Sequence, residues 1–180
     1  MSSRRLGLGL ALSAMMPGVL LAQPAGRVPA PAAAEPAAAA FQQLSELVGT
    51  WRNADRPESP LRIRFFFTAG GTVLVESWER VGQPHSLTLY HRDGADLIAT
   101  HYCPQGNQPR LKLTASGRSL AFALRDATDL DEGESHLHDL GFDLTDPDRP
   151  VRSETYRRGD SAEDTVLHLS RADPPAPSGN

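Results

Sequence analysis

The stretch LRIRFFFTAGGTVLVESWER, residues 61–80, decides the fold class. Leu61, Ile63, Phe65 and Phe67 alternate with Arg62 and Arg64, a period of two that places one row of side chains on each face of a strand. Ala69, Gly70 and Gly71 follow as a turn. Val73, Val75 and Trp78 then mark a second strand running to Arg80. Two β-rich runs joined by a glycine turn read as an antiparallel hairpin.

The same alternation continues toward the C-terminus. Residues 86–91, 95–103, 110–114, 120–124, 136–144, 151–157 and 163–170 each read as a strand. Between them stand Gly82-Gln83-Pro84, Asp93-Gly94, Pro104 to Asn107, Ser116-Gly117-Arg118 and an acidic loop from Asp126 to Glu134. About nine strands with mostly short turns predict an all-β barrel or sandwich, and a meander of neighbours favours an up-and-down barrel. No helical crossover is long enough to serve a parallel sheet. On the N-terminal side, Phe41, Leu44, Leu47 and Val48 share one helical face and Gly49 stops it, which predicts one short amphipathic helix.

Farther out, the composition changes. Met1 to Arg5 is short and basic, and Leu6 to Ala22 is apolar and uncharged, with Gly7, Gly9 and Pro17 inside it and polar Gln23 after it. This layout predicts a secretory signal peptide over 1–22, with Arg4 and Arg5 compatible with twin-arginine export. The run falls short of a transmembrane span, which needs roughly 20 apolar residues. Residues 23–40, rich in Ala and Pro, read as a flexible linker, and 172–180 as a disordered tail. The expected folded domain is 41–171. The expected location is periplasmic or secreted, with no membrane span after cleavage.

The net charge of −4 comes with no basic stripe, which argues against a nucleic-acid partner. Cys103 is the single cysteine of the 180-residue chain, so no internal disulfide forms. The sequence contains no Gly-x-Ser-x-Gly, His-Glu-x-x-His, Walker loop or Cys-x-x-Cys, and so no motif that names an enzyme.

Candidate site residues come from the same period of two. His101 and Cys103 extend the row Leu97, Ala99. His136 and His138 precede the row Leu140, Phe142, Leu144. If both rows face inward and the two ends meet across the lumen, His101, Cys103, His136 and His138 supply donor types that suit zinc or copper. The same residues equally suit hydrogen bonding to backbone or carboxylates, with Cys103 a small buried hydrophobe. Asn107, Gln108 and Arg110, in and after the turn at Pro104, offer amide and guanidinium groups to a ligand or to the turn itself. The spacing of Asp126, Asp129, Asp131, Glu132 and Glu134 misses the calcium-loop pattern and reads as a solvated charged loop. For the turn at Asp93-Gly94, a loop of three residues, pairing His91 with Leu97, is favoured over a loop of two, pairing Tyr90 with Leu97.

The segment LVGTW, residues 47–51, at the end of a short helix resembles the start of lipocalin-like (calycin) barrels, and nitrobindin-like haem-binding barrels open similarly. Residues 89–94, 100–110, 126–129 and 136–138, in this order, resemble a set of uncharacterised bacterial lipocalin-like proteins, with residues 145–170 departing more. The resemblance implies an up-and-down barrel of about eight to ten strands preceded by one short helix. It implies no established reaction. By analogy to the nitrobindin-like proteins, His168 would be an axial haem ligand.

Three functions follow as expectations. The first is an exported barrel that binds a small, largely apolar molecule, with His101, Cys103, Asn107, Gln108, Arg110, His136 and His138 at its mouth. The second is a metal or haem barrel with redox or detoxifying activity, using zinc or copper at His101, Cys103, His136 and His138, or haem at His168. The third is a structural or interaction barrel filled by Phe65, Phe67, Phe122 and Phe142.

Overall fold

The structure is a computed structural model and describes residues 35–172. The expected signal peptide, the linker up to residue 34 and all but Ala172 of the expected tail lie outside the described residues.

The chain enters as a helix α1, Pro36–Leu44, followed by a single 3-10 turn, Ser45–Leu47. It begins five residues earlier than the apolar face suggested. Pro36 sits in the first turn, where its missing N–H costs nothing, and Ala37 to Ala40 are strong helix formers. Ala37, Ala40, Leu44 and Leu47 are buried, whereas Val48 is 40% exposed. Small Ala side chains on the inner face let the helix lie close against the barrel.

Ten strands follow: β1 Gly49–Asn53, β2 Leu61–Thr68, β3 Val73–Arg80, β4 Gln83–Asp93, β5 Asp96–Tyr102, β6 Gln108–Ala115, β7 Ser119–Thr128, β8 His136–Asp143, β9 Val151–Arg158 and β10 Ser161–Arg171. Each pairs antiparallel with its sequence neighbour, and β1 pairs with β10, so the sheet closes into an up-and-down barrel without a free edge. The strand added to the sequence reading is β1, which carries the Gly-x-Trp segment.

The β4–β5 register differs from both readings of the sequence. Asp93 pairs with Asp96, Tyr90 with Ala99 and Thr88 with His101, so Gly94 and Ala95 form the two-residue loop. Gly94 takes a φ of 61°, which suits the first position of such a turn. The inward row Leu97, Ala99, His101, Cys103 is unchanged by this shift, because side-chain facing follows parity and not partner.

The helix and Trp51 close one end. Trp51 is fully buried, its indole N–H donates to Leu47 O at 2.6 Å, and the Arg171 guanidinium lies over its ring. Arg171 also donates to the carbonyls of Val48 and Glu46, capping the last turn before β1. Gly49, at φ 128°, passes so near that an added Cβ would stand 2.4 Å from Arg171 Nη1.

Above this floor the lumen is solid. Phe65 and Phe142 meet edge to face at 6.3 Å, and Tyr90 contacts Phe122 and Phe142 at 5.8 and 6.1 Å. Leu74, Leu97, Leu111, Leu120, Leu140 and Leu169 complete the layer. Phe67, expected inside, is 41% exposed and rests on Phe41 at the helix end.

Candidate functional site

The other half of the lumen is polar. Along β3 the inward row is Leu74, Glu76, Trp78, so a carboxylate stands in the interior between an aliphatic and an aromatic residue. Register carries one rung of inward residues around the wall: Phe65 pairs with Glu76, Glu76 with Thr88, and Thr88 with His101. From the opposite side β9 contributes Arg152, Glu154 and Tyr156.

Glu76 is fully buried and fully engaged. Its Oε2 accepts from Tyr90 Oη at 2.5 Å, and its Oε1 accepts from Trp78 Nε1 at 2.5 Å. Arg152 Nε stands 2.6 Å from the same Oε1, an ion pair without the angle of a hydrogen bond. Arg152 Nη1 donates to Glu154 Oε2 at 2.6 Å. The guanidinium is sandwiched toward the Trp78 ring, 4.8 Å from its centroid, with the Phe142 ring at 6.0 Å. Burial lowers the Arg152 pKa, but Glu76 and Glu154 more than offset this and the net shift is upward. Burial, followed by the Glu76 charge, holds the Tyr90 hydroxyl well above the usual phenol range.

A second network lies toward the open end. His101 Nδ1 is 2.9 Å from Thr88 Oγ1, and its Nε2 is 3.0 Å from Tyr156 Oη. Burial, then the Arg152 charge, pushes the His101 pKa down to about 4, so the ring is neutral at physiological pH. Burial and the Glu154 charge raise the Tyr156 pKa, so its hydroxyl stays protonated and is the natural donor to Nε2. That assignment leaves the His101 proton on Nδ1, donated to Thr88. Cys103 Sγ lies 3.9 Å from Tyr156 Oη and donates to Gln105 Oε1 in the turn above.

Between these networks and the open end is a cavity of about 260 Å³. Trp78, His85, Ser86, His101, Gln105, Glu154 and Tyr156 line it, His85 being exposed on β4.

The residues singled out from the sequence separate. His101 and Cys103 face inward as expected. Asn107 is fully buried, but its Nδ2 donates to Ser135 O at 3.0 Å, tying the β5–β6 turn to the β7–β8 loop. Its neighbours Gln108 and Arg110 are on the outer wall: Gln108 accepts from Thr128 Oγ1 at 2.7 Å, and Arg110 is ion-paired with Asp126.

His136 and His138 do not join His101. In β8 it is Leu137 that is fully buried, opposite Tyr156, so His136 and His138 are on the outer face. A bulge between Leu137 and Asp139 then shifts the parity and brings Leu140 and Phe142 inside. The sequence row from His136 to Leu144 therefore does not keep one face. His136 Nδ1 approaches Glu134 O at 3.3 Å and His138 Nδ1 lies 2.8 Å from Asp139 Oδ2. Among the described residues no group of three or more His, Cys, Asp and Glu is placed to hold a metal ion.

His168 also faces outward, between buried Leu167 and Leu169, with its Nδ1 2.8 Å from Asp55 Oδ2. The residues present do not fit haem: the outward imidazole cannot reach a group in the lumen, and the cavity is far smaller than a tetrapyrrole.

The residues that sequence reading passed over are Glu76, Thr88, Tyr90, Trp78, Arg152, Glu154 and Tyr156. One signal was available: Glu76 shares parity with Leu74 and Trp78, and Arg152, Glu154 and Tyr156 share parity on β9. A charged residue inside a row with aromatic and aliphatic neighbours marks an interior polar site once the inward parity is known.

No family model matches the chain, and no curated protein does. Among solved structures, that of Rv2717c from M. tuberculosis is similar, with 18% identity and a TM-score of 0.44 over 74% of this chain and 98% of that chain.

Proposed function

We propose that this barrel binds a small molecule at its open end, between Trp78, His101, Glu154 and Tyr156. The observation that carries the reading is the cavity of about 260 Å³ on which these side chains converge. It lies a little below the usual ligand-pocket range of roughly 300–1,000 Å³, and combines aromatic walls with a few placed polar groups. By the measure of an apolar cavity of about 150 Å³ that holds benzene, it suits a molecule of about ten non-hydrogen atoms.

The expectation of a largely apolar ligand narrows accordingly. Phe65, Tyr90, Phe122 and Phe142 occupy the apolar half of the lumen, so an incoming molecule meets the polar half. The signal-peptide layout of residues 1–22 supports a periplasmic or secreted location, and the likeness of residues 47–51 to calycin barrels supports a lipocalin-like relationship.

Protein-observed NMR with a fragment library tests the binding reading. Trp78, which lines the cavity, and Trp51, at the closed end, give separate indole N–H signals. Binding at the open end moves the Trp78 signal and leaves Trp51 in place. A library in which no member shifts Trp78 overturns the reading.

A further inference from the structure

The charge of the polar lumen identifies the class of ligand, on the footing that the open-end cavity is a binding site. Two interior carboxylates, Glu76 and Glu154, share one guanidinium, Arg152. The side-chain exposures are 0%, 13% and 1%, so the surplus of one negative charge is held where water screens it poorly. The surplus is at Glu154. Glu76 accepts hydrogen bonds from Tyr90 and Trp78 and is ion-paired with Arg152 Nε, whereas Glu154 accepts one hydrogen bond, from Arg152 Nη1, and is the carboxylate that lines the cavity.

Neighbouring groups do not neutralise it. Burial keeps His101 in its uncharged form. Arg152 is a single cation divided between Glu76 and Glu154, and it does not line the cavity. His85 also lines the cavity and is itself exposed to solvent.

The walls match the charge. The rings of Trp78, Tyr156 and His101 border the same space as Glu154. Aromatic faces attract a cation through the ring quadrupole, and the attraction grows when water is excluded. A single carboxylate in a lining of rings suits an organic ammonium ion, whereas a metal ion requires several donors, and no such set is present among the described residues. We infer that the open-end cavity takes a small monovalent organic ammonium ion, its charge on Glu154 and its carbon body against Trp78 and Tyr156.

Three probes of one shape and different charge test this on the full chain: benzylammonium, benzyl alcohol and benzoate, each titrated while the Trp78 indole signal is followed. Benzylammonium is expected to bind about tenfold or more tighter than the alcohol, and benzoate not to saturate. Glu154→Gln is expected to bring the ammonium down to the alcohol's affinity, with the Trp51 signal reporting that the variant is folded. Should that variant fail to fold, the three probes on the native chain still decide. Equal or tighter binding of the alcohol or benzoate overturns the cation inference and leaves the small-molecule reading standing. If none of the three moves Trp78, the cation inference fails, and the fragment screen decides the broader reading by itself.

Discussion

Arg171 lies over Trp51, its guanidinium carbon 3.9 Å from the ring centroid. The two residues are register partners across the β1–β10 seam, so the contact joins the first strand to the last where the helix closes the barrel. Replacing Trp51 with Ala removes a fully buried indole and its hydrogen bond to Leu47 O. The expected loss is about 3–5 kcal/mol, read from chemical denaturation.

Gly49→Ala tests the same corner without removing a contact. The added methyl would meet Arg171 Nη1, and the backbone there is in a region that L side chains rarely adopt. A loss of more than about 1 kcal/mol is expected, and Gly49→Ala combined with Arg171→Ala should recover the steric part and not the backbone part.

Arg152→Met leaves Glu76 buried without its counter-charge. The expected destabilisation is about 3–5 kcal/mol at neutral pH, and the double variant Arg152→Met with Glu76→Gln should be the more stable of the two. A single variant as stable as the native chain would show that the Arg152–Glu76 ion pair does not support the fold.

His101 makes stability fall on acidification. Its pKa drops from 6.5 in the unfolded chain to about 4 in the barrel, because burial and the Arg152 charge disfavour the imidazolium. Between these values unfolding takes up a proton. The stabilisation is complete above pH 6.5, and is lost progressively as pH falls toward about 4. From pH 7 to pH 5 the His101 share is about 2 kcal/mol, read as the difference in pH slope between the native chain and His101→Gln.

His136→Ala with His138→Ala should change stability by about 0.5 kcal/mol or less per site, since both rings are on the outer wall. The double variant is also expected to leave the response of Trp78 to ligands intact. Loss of that response would join the outer wall to the cavity.

The fold was legible because its signal is distributed. Each strand repeats the same alternation, and short turns leave neighbours no alternative to pairing. The helix start was missed because an Ala-rich, Pro-containing segment reads as a tether until a barrel end exists for Ala37 and Ala40 to cover. At the site, parity served for His101 and Cys103, whose strand is regular. It misled for His136 and His138, because one bulged residue in β8 reverses the facing of everything before it. Nothing in the residues from His136 to Leu144 marks that bulge. Glu76 and Arg152 escaped notice for another reason: surface charge is the ordinary expectation, and each finds its counter-charge inside at a partner that is 76 residues away in the chain, a pairing that tertiary structure alone reveals.

The seam between β1 and β10 pairs just three positions, Trp51 with Arg171, Arg52 with Ser170 and Asn53 with Leu169. Every other junction links strands adjacent in sequence and forms from a local hairpin. This one brings together segments 118 residues apart, as in the Arg52–Ser170 hydrogen bond. Its loop-closure entropy is the largest in the molecule, so the meander zips as a curled ribbon first and the ring shuts last. The floor around Trp51 is thus the latch of the folding reaction, and the polar cavity at the far end acquires its enclosing wall at the same moment.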